Sequence, residues 1–156
     1  MSKRKLSVPR GRTAASLSDT EKQALKDTLQ ERKKQILWAK DPQAGRQAVE
    51  TLISAMPEAD QKLAQAFHQL VLSIAPTLLP RPWYGMPAYA NSAGQVVCFF
   101  QPAHKFKTRY ATIGFTDKAY LDQDSLWPVS FAVIDLGEKE IEHIARLLRN
   151  VMERKS

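Results

Sequence analysis

A single cysteine and only six glycines in 156 residues leave several kinds of chemistry without material. Cys98 has no partner for an intrachain disulfide and no second thiol for a C-x-x-C redox or zinc pair. The glycines form neither a P-loop nor a dinucleotide-binding pattern, and G-x-S-x-G and H-E-x-x-H are absent as well. No apolar run reaches the length of a membrane span or of a signal-peptide core. The chain therefore reads as cytoplasmic, with no membrane partner, no assigned catalytic residue, no metal site and no cofactor.

Acidic residues are missing from one stretch. Residues 1–16 hold Lys3, Arg4, Lys5, Arg10 and Arg12 and no acid, a charge of +5, which leaves +2 of the total +7 for the remaining 140 residues. A segment of this composition cannot bury enough apolar surface to fold, so a disordered basic arm is expected over 1–16 and a single domain over 17–156. Phosphates attract such arms without base reading, and Val8-Pro9-Arg10-Gly11-Arg12 resembles an AT-hook core, so weak nucleic-acid association is one reading and a solvated tail the other.

The rest of the chain has clear periodicities. Ser18 with Glu21 forms a capping box, predicting a helix from Asp19 to about Ala39 with a narrow stripe of Leu25, Leu29 and Ile36. Asp41-Pro42 starts a second helix, to Ala55, with Val49, Leu52, Ile53 and Met56 on one face. A third runs from Glu58 to Ala75 with Leu63, Phe67, Leu70, Val71 and Ile74, stopped by Pro76, Pro80 and Pro82. His68 on this helix has no histidine, cysteine or paired carboxylate at i+3 or i+4, so a partly exposed imidazole is expected rather than a ligand.

From Trp83 the pattern becomes extended. Gln95–Gln101 has apolar residues on both faces and reads as a central strand, in which Cys98 is an inert small hydrophobe. Trp83–Tyr89 begins a partner strand whose Gly85 and Pro87 predict a bulge or kink. If Ala103–Arg109 is extended, Lys105, Lys107 and Arg109 share one face, either an anion-binding row or a charged edge that discourages aggregation. Tyr110–Thr116 reads as a half-buried strand. Asp117, Asp122 and Asp124 lack the glycine turn and terminal glutamate of a calcium loop and read as a polar turn. Val129–Leu136 is the last strand and Glu138–Arg154 the last helix, its acids first and its arginines last, as the helix dipole favours.

The runs WYGMPAYA, VVCFFQ, KFKTRYATIGFTDKAYLD and LWPVSFAV resemble the YdhG-like family of small bacterial domains over roughly Met56 to the C-terminus. The resemblance implies a compact α+β domain, similar in layout to frataxin, with an antiparallel sheet of about five strands flanked by N-terminal helices and a C-terminal helix. One branch of that family is linked to iron handling, and frataxin-like iron sites are acidic ridges, whereas the first helix here carries four acids against five bases. The favoured reading is a non-catalytic binding module for a small anionic ligand. Trp83, Tyr84, Met86 and Tyr89 would line its groove and Lys105, Lys107 and Arg109 would anchor it, the alternative being that those aromatics are ordinary core.

Overall fold

The computed structural model describes residues 18–154. Among them the order is α1 (Asp19–Lys40), α2 (Pro42–Ser54), α3 (Glu58–Ile74), β1 (Leu79–Trp83), β2 (Met86–Ala90), β3 (Val96–Gln101), α4 (Ala103–Phe106), β4 (Ala111–Phe115), β5 (Ser130–Val133) and α5 (Glu138–Arg154). The fold is α+β, as expected. The basic segment with Lys3, Arg4, Lys5, Arg10 and Arg12 lies outside the described residues. Packing divides the described residues into two units, with the boundary between Lys34 and Gln35.

In the first unit the Ser18 hydroxyl accepts from the Glu21 amide at 3.1 Å, which is the cap that the sequence pattern requires. The helix it starts has no buried residue. In the second unit the Asp41 carboxylate accepts from the Ala44 amide at 3.1 Å, with Pro42 in the first helical turn, so α2 begins where its proline costs no hydrogen bond.

The five strands form one antiparallel meander, β1-β2-β3-β4-β5. One face of the sheet meets α3 and α5 through Phe67, Val71, Tyr89, Phe100, Ile113, Ile144, Leu148 and Val151, all buried, and α2 adds Val49 and Ile53 to the same core. The opposite face carries Trp83 and Phe99, whose rings lie 5.4 Å apart, and Gly114. A Cβ on Gly114 would stand 2.2 Å from the Phe99 ring, so the missing side chain lets that ring lie flat across β4.

The first hairpin differs from expectation. Gly85 makes no bulge but sits with Tyr84 in a two-residue turn, both at positive φ (49° and 75°), the primed geometry that matches strand twist. The ladder runs without interruption from Trp83↔Met86 to Leu79↔Ala90. Residues flanking a two-residue turn exchange hydrogen bonds and their neighbours do not, so Pro82 and Pro87, which face each other, have no ladder bond to lose between these strands. The irregularity falls instead between Tyr89 and Ala90, where β2 meets β3.

The two outer strands are finished differently. On β1 the same alternation turns the nitrogens of Pro80 and Pro82 outward, and neither carries a hydrogen. The outward carbonyl of Pro82 accepts from the Gln35 side-chain Nε2 at 2.8 Å, and α2 lies so close that a Cβ on Gly45 would meet the Pro80 carbonyl oxygen at 2.8 Å. On β5 the Phe115 amide donates to the Val129 carbonyl at 2.7 Å, which places Val129, Phe131 and Val133 in hydrogen-bonded pairs with β4. Ser130 and Ala132 therefore turn their N–H and C=O groups away from the sheet.

Candidate functional site

The sequence-predicted groove residues do not come together in one cavity. Tyr89 is fully buried and Met86 nearly so, Trp83 is half-buried beside Phe99 and Tyr84, and Tyr84 is exposed at the turn. Strand alternation explains the separation: Tyr89 points to the helix-covered face and Trp83 to the other.

Lys105, Lys107 and Arg109 do not form an extended row. Pro102 ends β3, and the Asp60 carboxylate, buried on α3, accepts from the Ala103 and His104 amides at 3.1 and 3.0 Å. Those two bonds fold the segment into the helical turn α4, which Lys107 closes in the left-handed conformation at φ 55°. The ammonium of Lys105 donates to the Tyr84 carbonyl at 3.2 Å and occupies the space where a side chain on residue 85 would be. Arg109 lies over the Tyr110 ring at 5.6 Å. Beside this turn, Asp60, Gly85, His104 and Lys105 line a cavity of about 200 Å³.

His68 is a correction: it is buried, not partly exposed. Its Nδ1 lies 2.8 Å from the Tyr89 hydroxyl and its Nε2 lies 3.2 Å from the Glu50 carboxylate. An ionised carboxylate can only accept, so the neutral ring donates from Nε2 to Glu50 and accepts at Nδ1 from the phenol. Burial holds the imidazole below its usual pKa, only partly offset by Glu50. The hydrogen bond from His68 holds the Glu50 carboxyl below its usual value, and burial pushes the Tyr89 phenol well up. Glu50 reaches a surface cleft of about 410 Å³ with Arg46 and Gln47, but both ring nitrogens of His68 are occupied within the fold. The chain of groups carries the hydrogen bond of a buried phenol out to a half-exposed carboxylate. Sequence spacing could not reveal it, because the partners stand 18 and 21 residues from His68.

Two other titratable candidates, Cys98 and Arg81, are also held inside the fold, although Nε of Arg81 is buried without a hydrogen-bond partner among the described residues. Cys98 is buried and its thiol is pushed far up by burial, which keeps it out of thiolate chemistry. Arg81 is buried with no carboxylate partner among the described residues; it donates to the Gln35 side chain at 3.2 Å and to the Gly94 carbonyl at 3.4 Å, and burial lowers its pKa. Asp117 stands in a 3-10 turn, the Asp122 carbonyl accepts from Arg154, and among the described residues no three His, Cys, Asp or Glu side chains group as a metal site.

A further cleft is of another kind. Between β5 and α5, Phe131, Val133, Leu136, His143 and Ile144 line an open, mostly apolar cavity of about 590 Å³, rimmed by Lys139 and Glu140. The His143 ring stands edge-on to Phe131 at 5.4 Å. Ile134, which also lines it, is 82% exposed, so a large apolar side chain stands in water at the edge of an apolar cleft, as at surfaces that meet something else.

No family model, curated protein or solved structure matches the chain. Among the described residues, no helix is long and apolar enough to cross a membrane.

Proposed function

We propose that this chain is a cytoplasmic, non-catalytic binding module of the YdhG-like kind, and that its binding surface is the apolar cleft between β5 and α5. One contrast carries the reading. The groups with chemical potential (Glu50, His68, Tyr89, Asp60 and Cys98) are spent on internal hydrogen bonds or sealed in the core. The cleft, by contrast, is open, apolar and continuous with a sheet edge whose hydrogen-bonding groups face outward. Edge strands with such a flank recognise extended chains: backbone bonds supply affinity and the cleft selects apolar side chains. The arrangement of helices and meander is also the layout that the resemblance to YdhG-like domains implies.

The anilinonaphthalene sulfonate dye tests this directly, because it has an apolar ring system for the cleft and an anionic group for Lys139 at its rim. Titrated into the dilute labelled protein, it is expected to shift the amide resonances of Phe131–Leu136 and Lys139–Ile144. Shifts confined to Trp83–Tyr84 and Lys105–Arg109 would overturn the cleft reading in favour of an aromatic and cationic site.

A further inference from the structure

Sheet edges attract other strands, and folded proteins usually blunt them with prolines, charges or a covering element. Among the described residues, this chain does so at one edge only. On β1, the outward nitrogens belong to Pro80 and Pro82, Gln35 takes up the outward carbonyl of Pro82, and α2 lies against the strand at Gly45. On β5, among the described residues, none of these devices is present. From Ser125 to Ile134 no residue is charged, and the one proline, Pro128, precedes the strand. Ser130 and Ala132 are exposed and turn both backbone groups outward, and Ile134, next in that alternation, is 82% exposed.

We infer that a second copy of this chain occupies the β5 edge, pairing antiparallel with its own counterpart about a two-fold axis at Ala132. The inference rests on the reading of the β5–α5 cleft as the binding surface and names what fills it. In this register Ala132 faces Ala132, and Ser130 faces Ile134 on each side, so every outward N–H and C=O of one copy meets its complement in the other. Phe131 of one copy stands beside Val133 of the other, on the side of the cleft, and the two clefts close over a shared apolar seam. An uncharged strand meets its own copy without like-charge repulsion, and each copy brings the same exposed Ile134. The small side chain of Ala132 at the axis leaves the backbones free to approach. The five-stranded sheets join into one continuous sheet across the pair.

The test uses the full-length protein carrying one introduced, reachable thiol. Cys98 is buried, so in Ala132→Cys only the introduced cysteine is open to oxidation, and Ser73→Cys on the exposed side of α3 serves as the control. Sedimentation should give a concentration-dependent dimer. Mild oxidation should link Ala132→Cys at least tenfold faster than Ser73→Cys, and Ala132→Lys should sediment as a monomer with an unchanged melting temperature. Ser130→Lys repeats the charge test should Ala132→Lys fold poorly. A protein that stays monomeric at millimolar concentration, equal cross-linking rates, or a dimer that survives the edge lysine would each overturn the self-pairing. The two readings separate in the Ala132→Lys monomer: cleft shifts with the dye, together with loss of the dimer, support both. If the edge lysine abolishes the dimer but the dye shifts other residues, the pairing stands and the cleft reading falls.

Discussion

Removing one oxygen atom from the core, in Tyr89→Phe, should cost measurable stability. The ring of Tyr89 is fully buried and packs edge-on against Phe67 at 5.5 Å, and phenylalanine keeps that packing, so the substitution opens no large cavity. What it removes is the donor 2.8 Å from Nδ1 of His68, on a side chain itself only 5% exposed. A buried acceptor left without a partner costs about 1–3 kcal/mol, and losing the desolvation burden of the phenol returns part of that, so a net loss of about 1–2 kcal/mol is expected. For a chain of this length each kcal/mol moves the midpoint by roughly 2–4 °C, giving a fall of about 2–8 °C in Tm. Calorimetry, with urea denaturation as a check that the m-value is unchanged, reads the effect. The cycle with His68→Leu should show a coupling of about 1 kcal/mol, because replacing both partners by apolar groups leaves no orphan. A Tyr89→Phe protein as stable as the parent, or singles that add without coupling, would refute the reasoning.

Acid should expose the same network. The folded-state pKa of His68 lies below its ordinary 6.5, so between those values the unfolded chain binds a proton that the folded chain does not. Its stabilising contribution is complete above pH 6.5 and is lost as pH falls from there toward the folded value, and His68→Gln should flatten the dependence of Tm on pH between 7 and 5. Glu50 acts lower, its contribution fading as pH falls below its ordinary 4.5. A slope that persists in His68→Gln would assign it to another group. Gly45→Ala should destabilise despite a helix propensity gain of about 1 kcal/mol, because its Cβ would lie 2.8 Å from the Pro80 carbonyl, and such overpacking costs roughly 1–3 kcal/mol. A rise in Tm would mean that α2 does not lie against β1 as described.

The elements that sequence made legible are those fixed by local patterns. Ser18 and Asp41 cap their helices because a short oxygen-bearing side chain at that position reaches amides a few residues on. Alternation placed Ala111, Ile113 and Phe115 on one side of β4, and all three are buried. Where distant residues decide, local reading failed. The alternation of Lys105, Lys107 and Arg109 suits a strand, but Asp60, some forty residues earlier, draws the segment into a helical turn. His68 lacked neighbours at helical spacing and found its partners on α2 and β2. Tyr84 in the left-handed region was hidden because asparagine or glycine usually marks that turn position. The aromatics around Trp83 were visible as a cluster, yet which of them shared a face depended on Tyr84 and Gly85 forming a two-residue turn rather than a bulge or kink within a strand. That β5 would be an open edge follows from strand order, which no single segment encodes.

The open edge of β5 is the central claim, and amide hydrogen exchange resolved by residue in dilute protein tests it most directly. Phe131 and Val133 donate into β4 and should be protected. The amides of Ser130 and Ala132, facing outward, should exchange at least a hundredfold faster and slow down as protein concentration rises. If Ser130 and Ala132 are as protected as their neighbours at the lowest concentration, the edge is already covered within one chain and both the binding surface and the self-pairing are contradicted.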